Sequence, residues 1–112
     1  MKKDLIFAPV LLLIGVLLCL LQFTGIVAHI VISVVGILTL VAYTVLTVKE
    51  WEIPALEIAV RALYGIALIS GIIIMNVQGL VALAVIHKIS AILFMALIVV
   101  SLSYKAVTNK KA

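Results

Sequence analysis

Four long apolar runs constrain this chain more than any other feature of its sequence. They cover residues 5–23, 26–48, 54–75 and 80–104. A helix needs about 20 apolar residues to cross the hydrocarbon core of a bilayer, which is roughly 30 Å thick. Because each run meets that requirement, we predict four transmembrane helices in a single domain that comprises residues 1–112.

The composition agrees with a membrane protein. Of the 112 residues, 68% are hydrophobic and 11% are charged, whereas about a quarter of the residues of a soluble domain are charged. Most basic residues lie at the chain ends or between the apolar runs, so we expect a lipid bilayer and not nucleic acid as the partner. Cys19 is the only cysteine, which excludes a disulfide within the chain.

Three short links separate the apolar runs. The links QFTG (22–25) and NVQG (76–79) are polar and end in glycine, which is typical of tight turns. The middle link VKEWEIP (48–54) is charged, with Trp51 suited to a membrane interface and Pro54 to the first turn of a helix. Short links of this kind predict an all-α, up-down-up-down four-helix bundle.

Lysines flank the spans on one side of the predicted bundle. They are Lys2, Lys3, Lys49, Lys105, Lys110 and Lys111. The two glycine turns on the other side carry no charge. Lysine and arginine are enriched in cytoplasmic loops, so the pattern predicts a plasma-membrane protein with both termini in the cytoplasm and both glycine turns outside.

Two histidines fall within the outer half of the predicted bundle. His29 lies near the outer start of span two, and His87 lies deeper in span four. These spans run parallel and are diagonal neighbours, so their axes are about 12–14 Å apart when adjacent helices are about 8–10 Å apart. That gap is too wide for two imidazoles to touch, but it suits two imidazoles with a flat metal macrocycle between them.

The depths of the histidines do not match exactly. Counted from Gly25 and Gly79, His87 lies four residues deeper than His29, which is about 6 Å along a helix axis. We therefore expect either a tilted macrocycle or a fourth span that begins farther out.

Small and hydroxyl residues share the helix faces of the histidines. They are Ser33 and Gly36 with His29, and Ser90 with His87, whose face also carries Phe94. Such faces leave room for a porphyrin, with Gly36 or Phe94 packed on its edge, and a serine hydroxyl or a backbone carbonyl can fix the imidazole tautomer. Ordinary helix packing in lipid uses the same small residues, so purely structural histidines remain an alternative.

Two segments resemble minimal membrane cytochromes b of the cytochrome b561 or ferric-reductase-like kind. They are AHIVISVVG (28–36) and VIHKISAILFMALIV (85–99), in which a histidine enters a long apolar helix on a face of small residues. The resemblance implies one haem b, ligated by His29 and His87, that carries electrons between a membrane quinol and an acceptor outside or a partner redox protein. Family members usually carry four histidines and two haems, whereas this chain has two histidines.

The two halves of the chain also look like a weak internal repeat. Each half comprises two spans and places its histidine in the second of them.

Other functions stay open at this point. The histidines of a non-catalytic subunit or assembly factor would only bridge helices, and the chain can also form a homo-oligomer. A copper site can use His29, His87, Met75 or Cys19. A proton-coupled transporter is disfavoured because the first span has no carboxylate between residues 5 and 22. No hydrolase or transferase motif is present, so catalysis is limited to electron transfer at most.

Three further charged residues lie within the apolar runs. Glu57 and Arg61 are four residues apart in span three, so they share a helix face and can pair. We expect this pair to snorkel to the inner surface or to contact a cofactor carboxylate. Lys88 follows His87 directly, and its long stem allows the ammonium to turn outward.

Overall fold

The computed structural model describes residues 2–21, 25–77 and 79–111, and every long element in it is a helix. The helices are α1 (Lys2–Leu21), α2 (Ile26–Thr47), α3 (Pro54–Asn76) and α4 (Val81–Lys111), and a 3₁₀ turn at Val48–Glu50 follows α2. The predicted all-α class and the number of helices are confirmed. The predicted ends differ most for α4, which continues to Lys111 because its polar C-terminal residues extend the helix beyond the apolar run.

The helices pack as two antiparallel pairs. Helix α1 lies along α2, α3 lies along α4, and α1 also lies along α4, whereas α2 and α3 meet only briefly. Within the described ranges, α2 and α4 do not touch along their backbones, and neither do α1 and α3. The helices therefore form an elongated body of 51 × 23 × 21 Å that is compatible with a four-helix bundle, with α2 and α4 on a diagonal.

The two ends of this body differ, and we name them by the chain segments they contain. The turn end holds the last residues of α1 and α3 and the first residues of α2 and α4. The terminal end holds Lys2, Lys111 and the link between α2 and α3.

Large apolar side chains are exposed on the surface of the molecule, whereas some charged side chains are buried. Leu13, Val27 and Val81 are 59%, 72% and 75% exposed, while Asp4 and Glu57 are 6% and 3% exposed. A soluble protein avoids large apolar surfaces of this kind. Since all four helices also have the length and composition to cross a membrane, the fold is that of a multi-pass membrane protein.

A compact apolar core fills the middle of the bundle. Its buried members are Ala8, Leu11, Leu40, Tyr43, Val60, Tyr64, Phe94 and Ile98. The Tyr64 hydroxyl donates to the carbonyl of Ser33, 2.7 Å away, and its ring meets Phe94 edge to face. Gly36 allows this approach, because a Cβ atom there would overlap the Tyr64 hydroxyl.

The links partly match their predicted form. Gly79 has a φ of 83°, in the left-handed region that glycine tolerates, as a tight turn requires. Pro54 occupies the first turn of α3, as predicted. The predicted turn at 22–25 falls mostly on residues 22–24, which lie outside the described residues, as does Gln78 of the second turn.

Candidate functional site

The two histidines meet near the turn end of the bundle. His29 reaches inward from α2 and His87 from α4, and their ring centres are 6.2 Å apart with the planes tilted by 56°. The rings lie closer together than the predicted diagonal between the helix axes, because both side chains point toward the bundle axis. The difference of four residues in depth, counted from the two glycine turns, therefore does not keep the two imidazole rings apart.

A backbone carbonyl fixes each imidazole. His29 Nδ1 lies 3.0 Å from the carbonyl oxygen of Leu18, and His87 Nδ1 lies 2.6 Å from that of Ala67. The Ser70 hydroxyl also lies 3.4 Å from His87 Nδ1. Because a carbonyl oxygen can only accept, each Nδ1 carries the hydrogen and donates it. An imidazole that carries its one hydrogen on Nδ1 keeps the lone pair of Nε2 for a metal.

These contacts repeat the same arrangement in both halves of the chain. His29, in the second helix of the first pair, donates to Leu18 in α1. His87, in the second helix of the second pair, donates to Ala67 in α3. This correspondence agrees with the weak internal repeat in the sequence.

The serines singled out in the sequence do not hold the imidazoles. Ser33 donates to the carbonyl of Ile30 and Ser90 to that of Ile86, each within its own helix. The serine beside an imidazole is Ser70 of α3. Ser70 could not be predicted from the sequence, because packing between helices decides which faces of α3 and α4 meet.

Gly71 makes room for the second histidine. A Cβ atom at this position would lie 3.0 Å from Cε1 and 3.3 Å from Nδ1 of His87. The imidazole therefore packs directly on the backbone of α3. Gly71 was also missed, although a glycine within an apolar helix is itself a signal of close approach.

A cavity of about 560 Å³ adjoins both histidines. Every helix contributes to its wall, which includes Gly15, Leu18, Cys19, His29, Ser33, Tyr64, Ala67, Gly71, Met75, Ala84, His87, Lys88 and Phe94. The wall is mostly apolar, with a few polar groups. Sites that bind small molecules and cofactors have walls of this kind and volumes of about 300–1,000 Å³.

The predicted site residues divide into two groups. Ser33 and Phe94 line the cavity with the histidines, and Met75 does so as well. Gly36 and Ser90 are not part of the wall: Gly36 lies against Tyr64, and Ser90 is 5% exposed and bonded within α4. The Tyr64 hydroxyl lies against Gly36, and of the two residues expected at a porphyrin edge, Gly36 and Phe94, it is Phe94 that lines the cavity.

The spacing of the two imidazoles can be compared with that of two histidines that share one metal ion. Metal–imidazole bonds are about 2.0 Å long, so two rings that face each other across one metal ion have centres roughly 6 Å apart, close to the 6.2 Å observed. Both rings have the tautomer that leaves Nε2 free, and small side chains line the space beside them.

A metal site built from protein ligands alone fits less well. Within residues 2–21, 25–77 and 79–111, no three histidine, cysteine, aspartate or glutamate side chains come together in a way that could hold a metal ion. Cys19 and Met75 line the cavity, but Cys19 does not complete a ligand set with the two histidines.

A second polar region lies at the terminal end, where Lys105 contacts all the other helices. Its Nζ lies 2.9 Å from Asp4 Oδ1 and from the Tyr43 hydroxyl, and 2.5 Å from Glu57 Oε1. The Tyr43 hydroxyl also donates to Asp4. We call these residues, together with Arg61, the ionic cluster.

Arg61 completes the ionic cluster. Its Nη1 lies 2.8 Å from Glu57 Oε2, and its Nε donates to Thr44 Oγ1 over 2.6 Å. The guanidinium lies between the rings of Tyr43 and Trp51, at 5.1 and 4.6 Å from their centres. The predicted Glu57–Arg61 pair is thus confirmed.

The expectation that the pair snorkels is wrong, because Glu57 is 3% exposed and faces inward. Neither Glu57 nor Arg61 lines the histidine cavity. Two carboxylates and two cations balance in the cluster, which explains how these groups tolerate burial. We assign the cluster the role of joining the four helices.

Comparisons of the chain with protein-family models, with curated proteins and with solved structures found no match. The function is therefore argued from the geometry of the site.

Proposed function

We propose that this protein is a membrane haem b protein that carries electrons, and that His29 and His87 hold its haem. The observation that carries the proposal is the pair of imidazoles whose ring centres are 6.2 Å apart, each bonded through Nδ1 to a carbonyl of its own helix pair. The adjoining cavity of about 560 Å³ supplies the space for a macrocycle.

The residues around the cavity have separate roles in this proposal. The carbonyls of Leu18 and Ala67 hold the imidazoles in the tautomer and orientation that ligation needs. Tyr64 and Phe94 close the cavity toward the middle of the bundle. A haem held by His29 and His87 would supply reversible one-electron transfer.

The proposed orientation places the turn end outside the plasma membrane. Lysines at the terminal end then face the cytoplasm, in agreement with the distribution of positive charge in membrane proteins. In this orientation the histidines lie near the outer face, where a haem held by them would pass electrons between a quinol and an external acceptor. The sequence has no glycine-rich phosphate-binding loop, so a partner redox protein or a second copy supplies any further step.

An absorption spectrum tests the proposal. We expect protein purified in mild detergent to show a sharp Soret band, and α and β bands on reduction with dithionite. His29→Ala and His87→Ala remove these bands because each deletes an axial ligand. Thr39→Ala serves as a control, since its hydroxyl bonds to Val35 within α2 and lies outside the cavity wall.

A rescue experiment separates lost ligation from misfolding. We expect added imidazole to restore the low-spin spectrum of His87→Gly, because the free ring can enter the space left by the side chain. A protein that stays colourless with added haem would overturn the proposal. The histidines would then serve as bridges between helices, a role that their carbonyl contacts can fill without a cofactor.

A further inference from the structure

Lys88 is the one charged side chain among the described residues that line the histidine cavity. It follows His87 in α4 and is exposed at the surface of the bundle, so it lies at the mouth of the cavity. Its position is seven residues beyond Val81, or about 10 Å along the helix from its start. Lys88 thus falls within the candidate membrane span of α4.

Among residues 2–21, 25–77 and 79–111, no carboxylate pairs with Lys88. The four acidic residues are Asp4, Glu50, Glu52 and Glu57. Asp4 and Glu57 bind Lys105 at the terminal end, and Glu50 and Glu52 belong to the link at that same end. The turn end therefore has a cation and no anion of its own.

An ionisable residue within a membrane span is costly and is usually paired or functional. Since the chain lacks an anion within reach of Lys88, the partner comes from outside the chain. The chemistry that matches is an oxyanion on an amphiphile, with an apolar body for the cavity and an anionic group for its mouth.

We propose that Lys88 binds a propionate of the haem and so directs the propionate edge toward the turn end. This inference rests on the proposed function. The same oxyanion chemistry is present in lipid headgroup phosphates, toward which a lysine can extend its stem, so the experiment must separate the two sources.

Two forms of haem, with free and with esterified propionates, distinguish a propionate from a lipid phosphate as the partner of Lys88. Protein freed of haem is titrated with haemin and with haemin dimethyl ester, and binding is followed by the Soret band. We expect the native protein to prefer haemin about tenfold, as one charge-assisted hydrogen bond permits. Lys88→Gln should lose this preference, because its amide carries no charge, and Lys88→Arg should keep it. Lys49→Gln, in the link at the opposite end, is the matched control.

The contrary outcomes are distinct. If Lys88→Gln still prefers haemin as strongly as the native protein does, Lys88 does not bind a propionate. The thermal stability of the native protein and of Lys88→Gln is also compared in phosphatidylglycerol and phosphatidylcholine vesicles. If Lys88→Gln keeps the preference for haemin but loses the extra stability in phosphatidylglycerol, the partner of Lys88 is a lipid phosphate. If neither haemin nor its ester binds to the native protein, the proposed function fails and this inference fails with it.

Discussion

Lys105 is the residue on which the terminal end of the molecule depends most. Its ammonium touches oxygen atoms from α1, α2 and α3, and only 12% of its side chain is exposed. An ion pair buried in this way contributes little over a well-packed apolar substitute. Removal of one partner is different, because it leaves the opposite charges buried and uncompensated.

We therefore expect Lys105→Met to destabilise the protein by about 3–5 kcal/mol, since the carboxylates of Asp4 and Glu57 lose their shared cation. Lys49→Met, which removes an exposed lysine of the link, should change stability by less than about 0.5 kcal/mol. Unfolding in detergent with increasing dodecyl sulfate measures both. Equal stability of the two variants would show that the ionic cluster does not hold the helices together.

One face of helix α3 supplies the space and the hydrogen-bond partner of His87. Ala67, Ser70 and Gly71 lie within one turn, and all three meet His87 of α4. Gly71 supplies the space and Ala67 supplies the acceptor. Another glycine of the same helix, Gly65, has nothing within 4 Å of a Cβ atom built on it, so the two glycines form a matched pair.

We expect Gly71→Ala to weaken haem binding about tenfold, because the added methyl group displaces the His87 ring from its ligating position. Gly65→Ala should leave haem binding unchanged and stabilise the helix by up to about 1 kcal/mol. Haemin titration and thermal unfolding of both variants provide the measurements. Unchanged affinity in Gly71→Ala would mean that close packing of His87 on α3 does not set the geometry of the site.

On the scale of the whole molecule, the two ends have opposite character. The terminal end contains the ionic cluster and the charged link, and the turn end contains the histidine cavity and a single lysine at its mouth. The proposed orientation depends on this asymmetry, because positive residues are retained in the cytoplasm.

Labelling of single cysteines tests the orientation. In a Cys19→Ser background, we expect a membrane-impermeant maleimide to label Val77→Cys in intact cells, because Val77 is 47% exposed just after the end of α3. Lys49→Cys should react only after the cells are opened. The reverse pattern would place the termini outside and the histidine cavity near the cytoplasm.

Much of the architecture could be predicted from sequence alone. The four apolar runs match the four helices, with Pro54 at the start of α3 and Gly79 in a left-handed turn. These features are local, since hydropathy, helix length and turn chemistry depend on residues that are adjacent in the chain. For the same reason, the sequence identified His29 and His87 as the residues of interest.

Only the tertiary structure decided which groups meet. The rotation of the helices against one another decides three features of the site. They are the contacts of the histidines with the carbonyls of Leu18 and Ala67, the space above Gly71 and the position of Lys88 at the cavity mouth. The contacts of Lys105 with Asp4 and Glu57 join residues far apart in the chain. Apolar runs specify that helices form. In a largely uniform apolar sequence, however, the periodicity of hydrophobic residues does not specify which helix faces pack together. Contact between helices in a membrane depends instead on close packing and a few polar bonds.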